Sequence, residues 1–180
     1  MGKPKQLLAY NGKTLLNIVI SESIKTKFNP IVVVLGAYAK EIAQSSDYPE
    51  VIYAVNNDWE NGMSSSISFG LKTALNINSE IENAIFTVAD QVHISTEIIE
   101  KLHYVHHTEE KNIVTSAYAE TTGTPTLFNK KYFGELLNLT GESGAKVLIK
   151  EHSEDTATIS FDLGKVDIDT ETDYKNLIIP

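Results

Sequence analysis

The chain has 180 residues with 15 cationic and 24 acidic side chains, a net charge of −9, and every cation is a lysine. An acidic chain without guanidinium forks, which read guanine edges and clamp phosphates in pairs, is a poor candidate for a sequence-specific nucleic-acid binder. With no cysteine it has no disulfide, thiolate metal site or cysteine nucleophile.

Residues 1–20 lack the long apolar stretch and small-residue cleavage site of a signal peptide, which predicts a cytoplasmic protein. Leu16, Ile20 and Ile24 recur at i, i+4 and predict an amphipathic helix over 12–27, stopped by Asn29-Pro30. Ile31 to Leu35 is a continuous apolar run closed by Gly36, the pattern of a strand buried on both faces. A short helix over 37–44 and a strand over 51–55 follow. Ile67, Leu71 and Leu75 then predict a helix over 64–75. Residues 84–89 read as another apolar strand, ending at Asp90. A helix over 95–104 and a strand over 113–118 continue the alternation. Beyond them come a short strand over 126–128 and helices over 129–139 and 144–150. The last strand is half-exposed, because Ala157, Ile159 and Phe161 alternate with Thr156, Thr158 and Ser160. No apolar run reaches the ~18 residues that cross a bilayer, so no membrane partner is expected. At roughly 150 residues per domain, residues 1–180 form a single domain.

Alternating helices and short apolar strands define an α/β fold, a mostly parallel central sheet with helices on both faces. Ligands on such a sheet sit outside the carboxyl ends of the strands, which directs attention to Gly36, Asn56, Asp90 and Asp167. A doubly wound domain normally starts with its central strand, whereas this chain opens on a loop and a helix. An N-terminal strand is therefore expected to be missing.

Lys3, Lys5 and Lys13 concentrate positive charge before a helix N-terminus, where free N–H groups favour anions; a solvated chain end is the plainer alternative. A carboxylate such as Asp90, at the end of a buried strand, needs a partner to offset desolvation. A divalent cation is one, and a turn or helix cap is another. Asp167 and Asp169 flank Ile168, so in extended chain both carboxylates point to one side and with Asp90 could hold Mg²⁺. Against this, Asp169 or Thr170 can cap the last helix, and Thr170 with Asp173 reads as a capping box. The polar run from Asn56 to Ser66 offers serines and N–H groups to a small ligand, or a plain loop with a serine cap. His103, His106 and His107 cluster at helix-end spacing that would suit zinc. No carboxylate or cysteine is placed to complete a site, so a solvated helix end is expected.

Together these stretches resemble the molybdenum cofactor cytidylyltransferase family, within the nucleotidyltransferase superfamily that includes molybdopterin-guanine dinucleotide synthase. The resemblance rests on Met1 to Leu8 with Gly12 to Leu16, Asn57 to Ser66 with Gly70-Leu71, and Ala89-Asp90-Gln91. It continues through Gly123 to Phe128, Gly141 to Lys146 and Asp167 to Thr170 with Asp173-Tyr174. It implies a Rossmann-like nucleotidyltransferase fold and Mg²⁺-dependent transfer of CMP from CTP to the terminal phosphate of molybdopterin, with release of pyrophosphate. A molybdoenzyme or its chaperone is then a candidate recipient of the product. On that template Lys5 holds the triphosphate and stabilises charge on the α-phosphate, and Lys13 assists. Asp90 and Asp169, with Asp167 as a second candidate, bind Mg²⁺. Ser64, Ser65, Ser66 and Gly70 line the nucleotide or acceptor pocket.

Three departures accompany the resemblance. The family's first strand and its Leu-Ala-Ala-Gly-x-Ser-x-Arg phosphate loop would precede Met1, so the domain is expected to be truncated at its N-terminus. Val92 stands where the family has proline. Glu142 and Lys146 replace aspartate and arginine, and lysine cannot reproduce a bidentate guanidinium contact. Two alternatives therefore stand beside the leading reading. One is a relative using GTP or another acceptor; the other is a non-catalytic nucleotide- or partner-binding descendant without the phosphate loop.

Overall fold

In the computed structural model, which describes residues 4–142, 144–166, 168 and 170–178, the hydrophobic periods emerge as alternating strands and helices. A short hairpin, β1 (Ala9–Tyr10) and β2 (Lys13–Thr14), leads into α1 (Leu15–Lys25). Then come β3 (Ile31–Leu35), α2 (Ala39–Gln44), β4 (Val51–Val55), α3 (Met63–Ile77), β5 (Asn83–Phe86) and α4 (Thr96–Glu109). The remainder is β6 (Ile113–Tyr118), β7 (Thr121–Asn129), α5 (Phe133–Leu137), α6 (Lys146–Glu151), β8 (Thr156–Ser160) and α7 (Glu171–Ile178). No helix among the described residues is long and apolar enough to cross a membrane.

The expected α/β architecture is present. β3 and β4 pair in parallel, and a second ladder runs β5-β7-β6-β8. In it only β7 runs against its neighbours, being antiparallel to β5 and β6, while β8 is parallel to β6. Among the described residues no ladder joins β3 to β5, yet two helices cover both strands. On one face α1 packs Leu16 and Ile20 against Leu35 and Val33 of β3, and Val19 against Ile85 of β5. On the other, α3 meets Val34 at Gly70 and packs Leu71 into the cluster that includes Phe86. The alternation along β3 and β5 thus sends successive side chains to opposite helical layers.

Several boundaries differ from the sequence reading: α4 runs on to Glu109 instead of 104, and the helix expected over 129–139 is confined to Phe133–Leu137. The first helix starts at Leu15 instead of residue 12, because Asn11 (φ 49°) and Gly12 (φ 80°) form the tight turn of the β1–β2 hairpin, whose left-handed backbone glycine and asparagine accept. β5 stops at Phe86, and residues 87–89 run on without a ladder to Asp90. β7 begins at Thr121, not 126, and lies centrally. Its ladder with β6 slips between Thr115 and Ser116, whose partners are Thr126 and Gly123, so Thr124-Pro125 falls in the irregularity. A proline lacks the N–H a ladder needs and is tolerated at such a bulge. The carbonyls freed there accept hydroxyls instead, Gly123 O from Thr115 at 2.9 Å and Pro125 O from Ser116 at 2.8 Å.

Candidate active site

Asp90 owes its position to the turn that follows β5. Val92 N donates to Asp90 O (3.1 Å) and Ile94 N to Gln91 O (3.1 Å). The apolar members of this turn point inward: Val92 is buried with Leu15 and Ile168, and Ile94 with Val19 and Ile99. Anchored in this way, the turn leaves the Asp90 carboxylate at the rim of the sheet with 15% of its side chain exposed. Lys5, in a 3-10 turn over Lys5–Leu7, brings its ammonium to 2.5 Å from Asp90 Oδ2. The opening segment is itself tied to α1, since Leu15 N donates to Leu8 O (3.0 Å). Two residues singled out from sequence for separate reasons therefore meet in one ion pair. The Asp90 carboxylate has no second partner among the described residues.

Lys13 does not join them. Its ammonium donates to Ser21 Oγ on α1 at 2.9 Å, and the side chain borders a pocket of ≈ 240 Å³ with Tyr10, Glu22 and Val92. Ser65 and Ser66 hold the loop together. Asn56, buried at the end of β4, donates to both hydroxyls, and Ser65 donates in turn to the Asp58 and Gly62 carbonyls. Ser64 differs, because its hydroxyl is buried without a hydrogen-bond partner among the described residues. Gly70 faces the sheet, where an added Cβ would come within 2.8 Å of Val34 Cγ2; close helix–strand packing accounts for glycine there. Asp167 and Asp169 lie outside the described residues. Ile168 between them is fully buried beside Val92.

Several loops converge at this end of the sheet through contacts that carry no sequence signal. Trp59 lies against Gly36 at the end of β3, where a Cβ would meet it at 2.7 Å. Gly62, at φ 90°, lets the start of α3 approach the Gly141 carbonyl. Gln91 donates to Thr124 O at 2.7 Å and so ties the Asp90 turn to the irregularity in β7, while its own Oε1 is buried without a partner among the described residues. Gln91 was part of the motif around Asp90, but nothing in the sequence placed it against Thr124.

The arrangement can do two things chemically. A lysine ammonium offers a mobile positive charge to phosphate oxygens. A carboxylate with an open coordination side suits a hard divalent cation such as Mg²⁺ or Mn²⁺, which keeps positions free for substrate phosphates.

An α/β sheet with this Lys–Asp pair beyond the carboxyl end of β5 has its polar groups where such folds bind ligands. The chain belongs to the family of MobA-like NTP transferase domains, whose model matches residues 1–156. In the solved structures it is similar to Rv0371c from Mycobacterium tuberculosis H37Rv (TM-score 0.82, 22% identity, 99% of this chain and 90% of that one). Rv0371c has also been solved in complex with manganese (TM-score 0.80, 24% identity, 97% of this chain and 91% of that one). It further resembles molybdopterin-guanine dinucleotide biosynthesis protein A from Archaeoglobus fulgidus (TM-score 0.65, 16% identity, 98% and 90%). A characterised relative, nicotine blue oxidoreductase of Paenarthrobacter nicotinovorans, is 25% identical over 156 residues, which span 82% of this chain and 74% of that protein.

Proposed function

We propose that this protein transfers a nucleotidyl group, CMP from CTP, to the terminal phosphate of molybdopterin. An acceptor phosphate oxygen bonds to the α-phosphorus as the bond to pyrophosphate breaks. The reaction is dominated by positioning and charge neutralisation, so it asks for a cation held where the α-phosphate sits. The observation that carries the reading is the Lys5–Asp90 pair at the rim of the sheet. Lys5 would release Asp90 to neutralise the triphosphate, and Asp90, with Asp169 and Asp167, would hold Mg²⁺. When bound, the ion polarises the phosphates and offsets their charge.

The test is an NTP panel with Mg²⁺ and molybdopterin on the full-length protein, read as pyrophosphate release. CTP-dependent release that needs the acceptor supports the reading; release with GTP alone moves it to the guanylyl relative. One relative carries an oxidoreductase name, and a fold alone does not fix a reaction. Nicotinamide-cofactor oxidation without pyrophosphate release would overturn the transferase assignment.

A further inference from the structure

The last turns of α4 carry His103, His106 and His107, none of which contributes to the site above. His103 and His107 are four residues apart and therefore share one helix face. Their Nε2 atoms lie 3.0 Å apart, with ring planes at 81°. Two imidazole nitrogens at about 2.0–2.1 Å from one ion, at a near-right or tetrahedral angle, stand about 3 Å from each other. The observed 3.0 Å separation matches the nitrogen–nitrogen spacing of two imidazoles on one ion.

The surroundings fix this geometry. Leu102 and Val105 bury the opposite side of the helix, and the Phe28 ring packs against His103 at a centroid distance of 5.2 Å. His106 Nδ1 donates to the Lys111 carbonyl at 2.7 Å, since a carbonyl only accepts. Its ring lies 4.9 Å from that of His107. His103 is half-buried and His107 exposed, so an ion has access. The sequence reading set zinc aside because no carboxylate or cysteine is placed to complete a site. A two-imidazole chelate completed by water needs none, and it suits copper(II) and nickel(II) better than a closed zinc site.

We propose that His103 and His107 chelate one divalent transition-metal ion on the surface of α4, with copper(II) bound most tightly. The site is independent of the Lys5–Asp90 pair and of the reaction assigned to it. The test is calorimetric titration of the chelator-stripped protein with Cu²⁺ alone, together with electron paramagnetic resonance of the loaded sample. One equivalent bound, nitrogen hyperfine coupling from imidazole, and about tenfold or greater loss of affinity in both His103→Gln and His107→Gln are expected. Unchanged affinity in these two variants overturns the assignment. So does a loss confined to His152→Gln, which would place the ion among Glu135, Glu151 and His152, whose ligand atoms lie within 4.8 Å of one another. If His103→Gln loosens α4 by circular dichroism, the exposed His107→Gln decides the question by itself.

Discussion

The Lys5 ammonium and the Asp90 carboxylate, distant in sequence, meet at 2.5 Å on the rim of the sheet. Partly exposed ion pairs contribute only about 0–1 kcal/mol to stability, so the pair has little structural value to lose. Asp90→Ala is therefore expected to leave the thermal midpoint nearly unchanged. Pyrophosphate release should fall roughly 100-fold or more, equivalent to about 2.7 kcal/mol of transition-state stabilisation. Lys5→Gln should act in the same direction. Full turnover by Asp90→Ala would remove Asp90 from the proposed chemistry, and full turnover by Lys5→Gln would remove Lys5.

Gly70 and Val34 supply a test of how α3 sits on the sheet. Gly70→Ala places a methyl within 2.8 Å of Val34 Cγ2 and should cost about 1–3 kcal/mol by overpacking. Trimming the opposing side chain with Val34→Ala should recover part of that loss, so the double variant is less damaged than the two single effects summed. Strict additivity in urea unfolding would show that the two residues do not meet.

Asp155 joins the start of β8 to the β6–β7 end of the sheet. It accepts from Asn112 N and Nδ2, Lys131 Nζ (2.7 Å) and Tyr132 OH (2.7 Å). Burial pulls its pKa up, but the hydrogen bonds from Lys131, Tyr132 and Asn112 outweigh burial and hold the carboxyl well below the usual carboxylate range. A depressed native pKa means the unfolded chain takes up the proton more readily. The stabilisation is therefore complete above the unfolded value of about 3.9 and drains away as pH falls below it. Asp155→Asn should cost about 1–3 kcal/mol at neutral pH, with the gap to the parent narrowing below about pH 4. A gap that stays constant into acid would contradict this assignment.

Thr170 and Asp173 cap α7 reciprocally. Asp173 N donates to Thr170 Oγ1 (3.1 Å), and Thr170 N donates to Asp173 Oδ2 (2.8 Å). The same helix presents Tyr174, whose hydroxyl donates to Ala9 O in the β1 strand at 2.6 Å. Thr170→Ala should cost about 1 kcal/mol and should also speed hydrogen exchange in the hairpin over residues 9–14. Faster exchange confined to α7 would mean that the Tyr174 contact does not couple them.

The strands that the sequence reveals best are those whose side chains leave no ambiguity. Ile31–Leu35, Val51–Val55 and Ile113–Tyr118 fall where their sequence runs predict, although β4 leaves Ile52 and Val55 exposed and β6 buries Thr115 and Ser116. β7 is harder to see because Gly123, Thr124 and Pro125 are turn residues in a strand, and only its neighbours reveal that they occupy a slip in the ladder. Asn11-Gly12 was a legible hairpin signal, masked by the helical period that starts just after it. At the site, Asp90 was readable from its place beyond a strand and Lys5 from local charge. Their contact, and those of Gln91 with Thr124 and Gly62 with Gly141, join distant segments that a single sequence cannot align. Ser65 and Ser66 read as ligand grips, whereas hydroxyls near a helix start compete for local partners and here find Asn56.

Among the described residues no ladder joins β3 to β5, and this bears on how their amides exchange. Among the described residues, β6 and β7 have a ladder on each side, whereas β3 and β5 each have one. Amides on their unladdered sides should exchange with deuterated solvent well before those of β6 and β7. Exchange rates read amide by amide would then trace the seam along which two half-sheets share their helices but not their hydrogen bonds.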